Sequence, residues 1–209
     1  MATAGKETQA LFRGLIPDDK DPVREQILDA ALHLFVEFGL RRNTMEDVAG
    51  RAGVGRATVY RRFGDKDSLI QAVILRECHL HLALLEQRTA DIENGLDALL
   101  EAFVMAASLA HRHPLLERLL TTEPEHILPF LTVRLSPLMQ VSRVYVAERI
   151  SQARDNGDLQ TSDPHASAEL ILRLLQSLIL SPDGTVNPAS ETSLRHFCDS
   201  QLRPLLTPP

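Results

Sequence analysis

Apolar side chains recur along most of this chain at the spacing of one helical face. Val23, Ile27, Ala30, Ala31, Leu34, Phe35 and Phe38 fall at i, i+4, i+7, i+8, i+11, i+12 and i+15, which predicts an amphipathic helix ending near Gly39. Asp21-Pro22 precedes it as N-cap and first helical residue, because proline lacks only the N–H that a first turn leaves unpaired anyway. The same punctuation stands at Ser136-Pro137, Asp163-Pro164 and Asn187-Pro188, each ahead of another apolar pattern at helical spacing. The spacing predicts helices over about 66–90, 95–112, 115–121 and 124–133, then over 137–156, 164–180 and 188–203. No stretch alternates with a period of two between hairpin turns. The predicted fold class is all-α, with about nine helices.

The segment Thr44–Phe63, TMEDVAGRAGVGRATVYRRF, instead predicts two short helices about a glycine turn, the arrangement of a helix-turn-helix. Thr44 is placed to N-cap the first, with Asp47 three residues on in the capping-box position, although shorter than the preferred Glu or Gln. Met45, Val48, Ala49 and Ala52 form its apolar face. Ala49 is small enough for a steeply crossing partner helix, Gly53 suits a turn with positive φ, and Val54 plugs the space between the two. Val59 anchors the second helix, which leaves Arg56, Ala57, Thr58, Tyr60 and Arg61 around its exposed N-terminal half. In such a motif that half enters the DNA major groove.

The net charge of −6 argues at first against nucleic acid, because duplex binding depends on neutralising phosphates. Its distribution reverses the argument. Between Gly39 and Lys66, Arg41, Arg42, Arg51, Arg56, Arg61, Arg62 and Lys66 face only Glu46, Asp47 and Asp65, a local excess of +4. From Ile70 to Pro209 there are 11 basic and 17 acidic residues, so a basic tip precedes an acidic body. Residues 1–20 show no sustained period and contain Gly5, Gly14 and Pro17, which reads as a flexible extension. No uninterrupted apolar run of about 18 residues and no signal-like N-terminus occurs, so a cytoplasmic protein with no membrane partner is expected. Cys78 and Cys198 stand far apart without CxxC or Cys/His spacing, which leaves a disulfide framework or zinc finger unsupported.

From Arg24 to Leu69 the chain resembles the DNA-binding domain of tetracycline-repressor (TetR) family regulators. The matching residues are Phe35-x-x-x-Gly39, Thr44-x-x-x-Val48-Ala49, Ala52-Gly53-Val54, Thr58-x-Tyr60-x-x-Phe63 and Lys66-x-x-Leu69. The resemblance covers roughly the N-terminal third, and the predicted helices of the remainder agree with the family's nine-helix layout. It implies that Thr44, Tyr60 and Lys66 contact backbone phosphates while Arg56, Ala57, Thr58 and Arg61 face base edges. Two positions depart from the family pattern: Gly55 stands where Ser is common, removing a hydroxyl contact and cap, and Ala57 where Gly is common, offering a methyl to a thymine methyl. Arg61 and Arg62 point about 100° apart on a helix, so at most one reads bases and the other grips phosphate. Of Arg41 and Arg42, one is expected at the DNA backbone, and Arg42 lies nearer the helix that starts at Thr44.

Beyond the motif the residues predict packing and assembly. The family's central helices enclose a ligand cavity, which the resemblance lines with Phe103, Met139, Ser142 and Tyr145, and the shortage of aromatic residues makes it aliphatic. Leu170, Leu174 and Leu178, then Leu194 and Phe197, exceed a single buried face and predict a homodimer joined through the last two long helices. His79 with His81, and His111 with His113, do not share a helix face at i, i+2, so no metal site is expected. No catalytic motif occurs, and neither an enzyme nor a cofactor is expected. The predicted organisation is an extension over 1–20, a DNA-binding domain over 21–66 and a ligand-binding and dimerisation domain over 67–209. The function expected is a homodimeric repressor, released from a pseudo-palindromic double-stranded operator by an unidentified small apolar or amphipathic effector. A transcriptional activator or ligand-independent DNA-binding protein is the alternative, ahead of a metal-dependent sensor or enzyme using the histidines.

Overall fold

The computed structural model describes residues 21–134 and 136–207, so the expected extension over 1–20 lies outside it. The chain is all-α, with no strand among the described residues. It divides into two compact units. One takes in described residues up to His79 together with Pro114–Pro137, and the other Leu80–His113 with Leu138 onward.

In the first unit α1 (Pro22–Phe38) starts where the Asp21 carboxylate accepts the Val23 N–H at 2.9 Å, and it stops at Gly39, whose φ is +81°. The α2 helix (Met45–Arg51) opens with a complete capping box: Thr44 Oγ1 accepts from Asp47 N at 3.1 Å, and Asp47 Oδ2 accepts from Thr44 N at 2.8 Å. The shorter aspartate therefore reaches back as well as a glutamate would. Gly53 makes the turn at φ +63°, with open space where a Cβ would stand, so backbone conformation alone favours glycine there. The α3 helix (Arg56–Phe63) and the start of α4 (Lys66–Thr89) follow, and α6 (Pro114–Thr122) and α7 (Pro124–Leu131) complete the unit. Leu28, Phe35, Val48, Val59, Leu69 and Leu119 are its fully buried centre. Burying each such side chain stabilises by roughly 1.5–3 kcal/mol. Val54 is half-buried, and its N–H bonds Ala49 O at 3.0 Å to close the turn.

Arg76 locks α4 to α1. Its buried guanidinium meets Asp29 at 2.7 Å, Glu77 at 3.0 Å and Glu25 at 3.5 Å, so three carboxylates offset the desolvation of one cation.

In the second unit α5 (Gly95–His111, capped by Asn94), α8 (Ser136–Asp155, from Leu138) and α9 (Pro164–Leu180, capped by Asp163) close on a shared apolar core. The predicted helix start at Asn187-Pro188 is displaced: Asn187 Oδ1 accepts from Ala189 N at 2.9 Å and forms a local turn, while Ser190 caps α10 (Glu191–Phe197). Asparagine competes for nearby backbone donors, so it serves a turn as readily as a cap. The predicted single helix over 188–203 is also interrupted. After Phe197 the chain widens into a π-turn over Cys198–Leu202 and resumes as α11 (Arg203–Leu206). The wide turn lets the register pass Pro204, which has no N–H to donate.

Candidate nucleic-acid interface

The α2–turn–α3 pair presents one side chain after another to solvent. Arg56, Ala57, Tyr60 and Arg61 are exposed and Thr58 half-buried, while Val59 and Phe63 point into the core. That split follows from helical period: two core-facing positions four residues apart leave the opposite arc free. Gly55 is the N-cap of α3 and gives it no side-chain cap, so the first-turn N–H groups lack the hydroxyl a serine would bring.

Arg56 rests against Glu46 at 2.6 Å with its guanidinium 5.2 Å from the Tyr60 ring centroid. The pair is exposed on both sides, and such pairs are worth at most about 1 kcal/mol, so a base edge can displace it. Arg62 turns inward instead. Its Nε bonds Asp21 at 2.9 Å, at the cap of α1, and this bond holds the Asp21 carboxyl below its ordinary range. Arg61 remains exposed and engages no carboxylate among the described residues.

Thr44 and Lys66, both expected at backbone phosphates, have partners within the protein. The Thr44 hydroxyl donates to Asp47 at 2.7 Å, and hydrogen bonds from Thr44 side chain and backbone lower the Asp47 pKa. Lys66 donates to the Asn43 carbonyl, and burial lowers its pKa. An ammonium keeps two further donors for a phosphate. Arg41 and Arg42 are exposed in the α1–α2 loop.

Three residues hold this surface from behind. Asn43 is buried and its amide donates to Leu34 O at 2.9 Å and to Gly39 O, tying the loop to the end of α1. Glu123 accepts the Leu40 and Arg41 N–H groups, each at 3.0 Å, and Arg76 anchors α4. A buried Asn four residues past a helix-ending glycine is a weak local signal. Glu123 and Arg76 have none, because their partners lie 83 and 47 residues away.

A model of the family described as bacterial regulatory proteins, tetR family, matches residues 27–73, which are the α1–α2–α3 bundle and the first turns of α4. Residues 27–73 of the chain are thus a DNA-binding domain of the tetR type. The chain is a helix-turn-helix transcriptional regulator. An uncharacterised HTH-type regulator of Mycobacterium bovis is 28% identical over 166 residues, 79% of this chain and 85% of that protein. TtgR of Pseudomonas putida, an HTH-type regulator, is 37% identical over 84 residues, 39% of this chain and 38% of its own length. Among solved structures, the TetR family repressor AlkX of Dietzia sp. covers 86% of this chain and 94% of its own with a TM-score of 0.64 at 24% identity. FadR of Bacillus halodurans, a fatty acid degradation regulator, covers 89% of this chain and 99% of its own with a TM-score of 0.63 at 17% identity.

In the second unit the remaining expected residues separate. Phe103 is buried in the core with its ring 6.1 Å from Phe197, whereas Met139, Ser142 and Tyr145 are half-buried along α8. Tyr145 donates to Glu86 at 2.8 Å and receives a bond from Arg149 at 3.2 Å, and burial pushes its phenol up to about 12. On α9, Leu170 is 45% exposed and Leu174 and Leu178 are partly covered, while Leu194 is sealed in the unit's own core. The His81 and His113 rings meet edge to face at 5.3 Å, and among the described residues no three His, Cys, Asp or Glu side chains converge as metal ligands. Burial raises both thiols, Cys78 and Cys198, to about 12, which makes them poor nucleophiles.

Proposed function

We propose that this regulator is a cytoplasmic homodimeric repressor that leaves a pseudo-palindromic operator when a small, largely aliphatic molecule binds its second unit. The observation that carries the DNA half is the outward arc of α3: Arg56, Ala57, Thr58 and Arg61 for base edges, Tyr60, Thr44, Lys66 and Arg42 for phosphates, with Gly55 admitting the backbone closely. The inward turn of Arg62 supports Arg61 as the base-reading member of the pair. Functionally the chain divides into a DNA-binding domain over 21–66 and a ligand-binding and dimerisation domain over 67–209.

The ligand half rests on half-buried apolar surface. Leu82, Leu84 and Leu85 on α4 and Val141, Val144 and Val146 on α8 are all incompletely covered within their unit. Together with Met139, Ser142 and Tyr145 they suit an aliphatic ligand with one polar end, for which the Arg149 guanidinium keeps donors beyond the one it gives Tyr145. The fold relatives AlkX, implicated in biodegradation of n-alkanes, and FadR are in keeping with such a ligand. For release, the ligand must favour the DNA-incompetent conformer, and a bias of about 3 kcal/mol lowers operator affinity roughly a hundredfold.

Fluorescence anisotropy of the protein on the DNA upstream of its own gene and on a scrambled duplex, over a salt series and with long-chain acyl compounds added, tests the reading. Tight, salt-dependent preference for the upstream DNA that a ligand abolishes is the expected result. No binding to either duplex at low salt would overturn it.

A further inference from the structure

We propose that Glu123 is a positioning residue for DNA binding: from the corner between α6 and α7 its carboxylate holds the α1–α2 loop in the shape that presents Arg42, beside Arg41, to the phosphate backbone. This rests on the reading of that loop as part of the DNA-facing surface.

The geometry is closed on both sides. Glu123 is only 9% exposed. Its own backbone is fixed at the helix corner, with its N–H on Leu119 O at 2.9 Å, its carbonyl accepting from His126 N at 3.0 Å and Ile127 N at 3.3 Å, and Pro124 directly after it. Its aim is therefore set by α6 and α7. At the loop end, one oxygen, Oε2, accepts both the Leu40 and the Arg41 N–H at 3.0 Å. These donors lie past the end of α1, and the half-burial of their surroundings leaves the carboxylate as their protein partner. The other oxygen, Oε1, stands 2.0 Å from where a Cβ on residue 39 would be, so Gly39 is required twice over, for its φ of +81° and for the space.

The loop's second anchor complements the first. Asn43 ties it to α1, Lys66 holds the Asn43 carbonyl, and the Lys66 charge is attracted to Glu123. With Leu40 buried and Asn43 buried, Arg41 and Arg42 are the two side chains of this stretch that project outward. A negative charge so close to a phosphate-binding surface weakens DNA attraction in general. Its service here is local, as an acceptor that fixes where two cations point.

The test is a salt series of anisotropy titrations on the full chain with a random-sequence duplex and with the duplex upstream of its gene, alongside melting temperatures. Glu123→Ala should weaken binding to both about tenfold and make the slope of log affinity against log salt shallower by about one, the signature of one lost phosphate contact. Glu123→Gln should recover most of both, because its amide carbonyl can take the place of the single accepting oxygen. Arg42→Ala should reproduce the slope change in the parent and add little to Glu123→Ala. A merely structural Glu123 would lower the melting temperature and the active fraction while leaving the slope of the folded protein unchanged, and that result, or parental affinity in Glu123→Ala, would overturn the proposal. If the alanine variant does not fold, Glu123→Asp, whose shorter side chain withdraws the carboxylate from the Leu40 and Arg41 N–H groups, must show the same shallower slope, a parental slope counting against the inference. Failure of the parent to bind either duplex would remove the underlying reading and this inference with it, whereas an Arg42-sensitive, Glu123-insensitive slope would remove this inference alone.

Discussion

At the scale of single residues, the arginines proposed for the DNA surface, Arg56 and Arg61, and their neighbour Arg62 differ in what binding would have to displace. Arg56 gives up an exposed pair with Glu46, Arg61 gives up nothing among the described residues, and Arg62 would have to abandon the cap of α1. Arg56→Ala should therefore lose about 1–3 kcal/mol of operator binding and relax base preference at one position, read by anisotropy on operator variants. Lys66→Ala should weaken operator and scrambled DNA alike and also lower the melting temperature, because the same ammonium holds the Asn43 carbonyl. An unchanged melting temperature would show that the Asn43 bond is dispensable. Acid acts on the caps. The Asp47 carboxyl is held below its ordinary value of 3.8, first by the Thr44 hydroxyl and then by the Thr44 backbone N–H. A depressed carboxylate pKa contributes stability above the unfolded value that is lost as pH falls through the folded one. Asp47→Ala should thus melt below the parent near neutral pH and converge with it below the ordinary aspartate range. A gap that persists in acid would assign the effect to packing.

At the scale of elements, what is legible in a sequence is what lies within a few residues of its cause. Asp21, Thr44 and Asp163 declare their helices because a cap and its N–H are two or three residues apart, and α9 falls on its predicted span for that reason. Asn187 shows the limit, since the same residue type closes an Asx turn and leaves the cap to Ser190. Arg76 and Glu123 show a harder limit: each joins segments tens of residues apart, so only the folded chain reveals that α6 and α7 belong with the DNA-binding helices. The exposed arc of the candidate interface is legible, because period alone separates Val59 and Phe63 from the outward residues, but its supports are not. Gly55 offers a test at this scale. Its φ of −68° suits any residue, and its nearest neighbour to an added Cβ is Thr58 Oγ1 at 3.9 Å, so a serine fits and can cap α3. Gly55→Ser should raise stability by a few tenths of a kcal/mol, seen as a small rise in melting temperature. A fall would mean that the hydroxyl finds no donor.

At the scale of the whole molecule, the proposed homodimer would need its two α3 helices to meet half-sites about 34 Å or a multiple of it apart, so the surface that would pair protomers matters as much as the one proposed to read bases. Leu170 is the most informative position for that pairing. It is 45% exposed on α9, whereas its neighbour Ile171 is buried and Leu194 lies inside the protomer, so its substitution disturbs little of the core. An arginine there would place a desolvated charge in an apolar interface without a partner, a penalty of several kcal/mol at each of two symmetric positions. Leu170→Arg should therefore sediment as a monomer while melting cooperatively. A lone protomer keeps its contacts to one half-site but loses the linkage to the second, which is worth about 10²–10⁴ in affinity. Binding should fall by that order on a two-half-site operator and hardly at all, per protomer, on a random duplex. If Leu170→Arg remains dimeric, the exposed leucines of α9 are not the dimer seam, and the two-fold axis must pass through another face of the second unit.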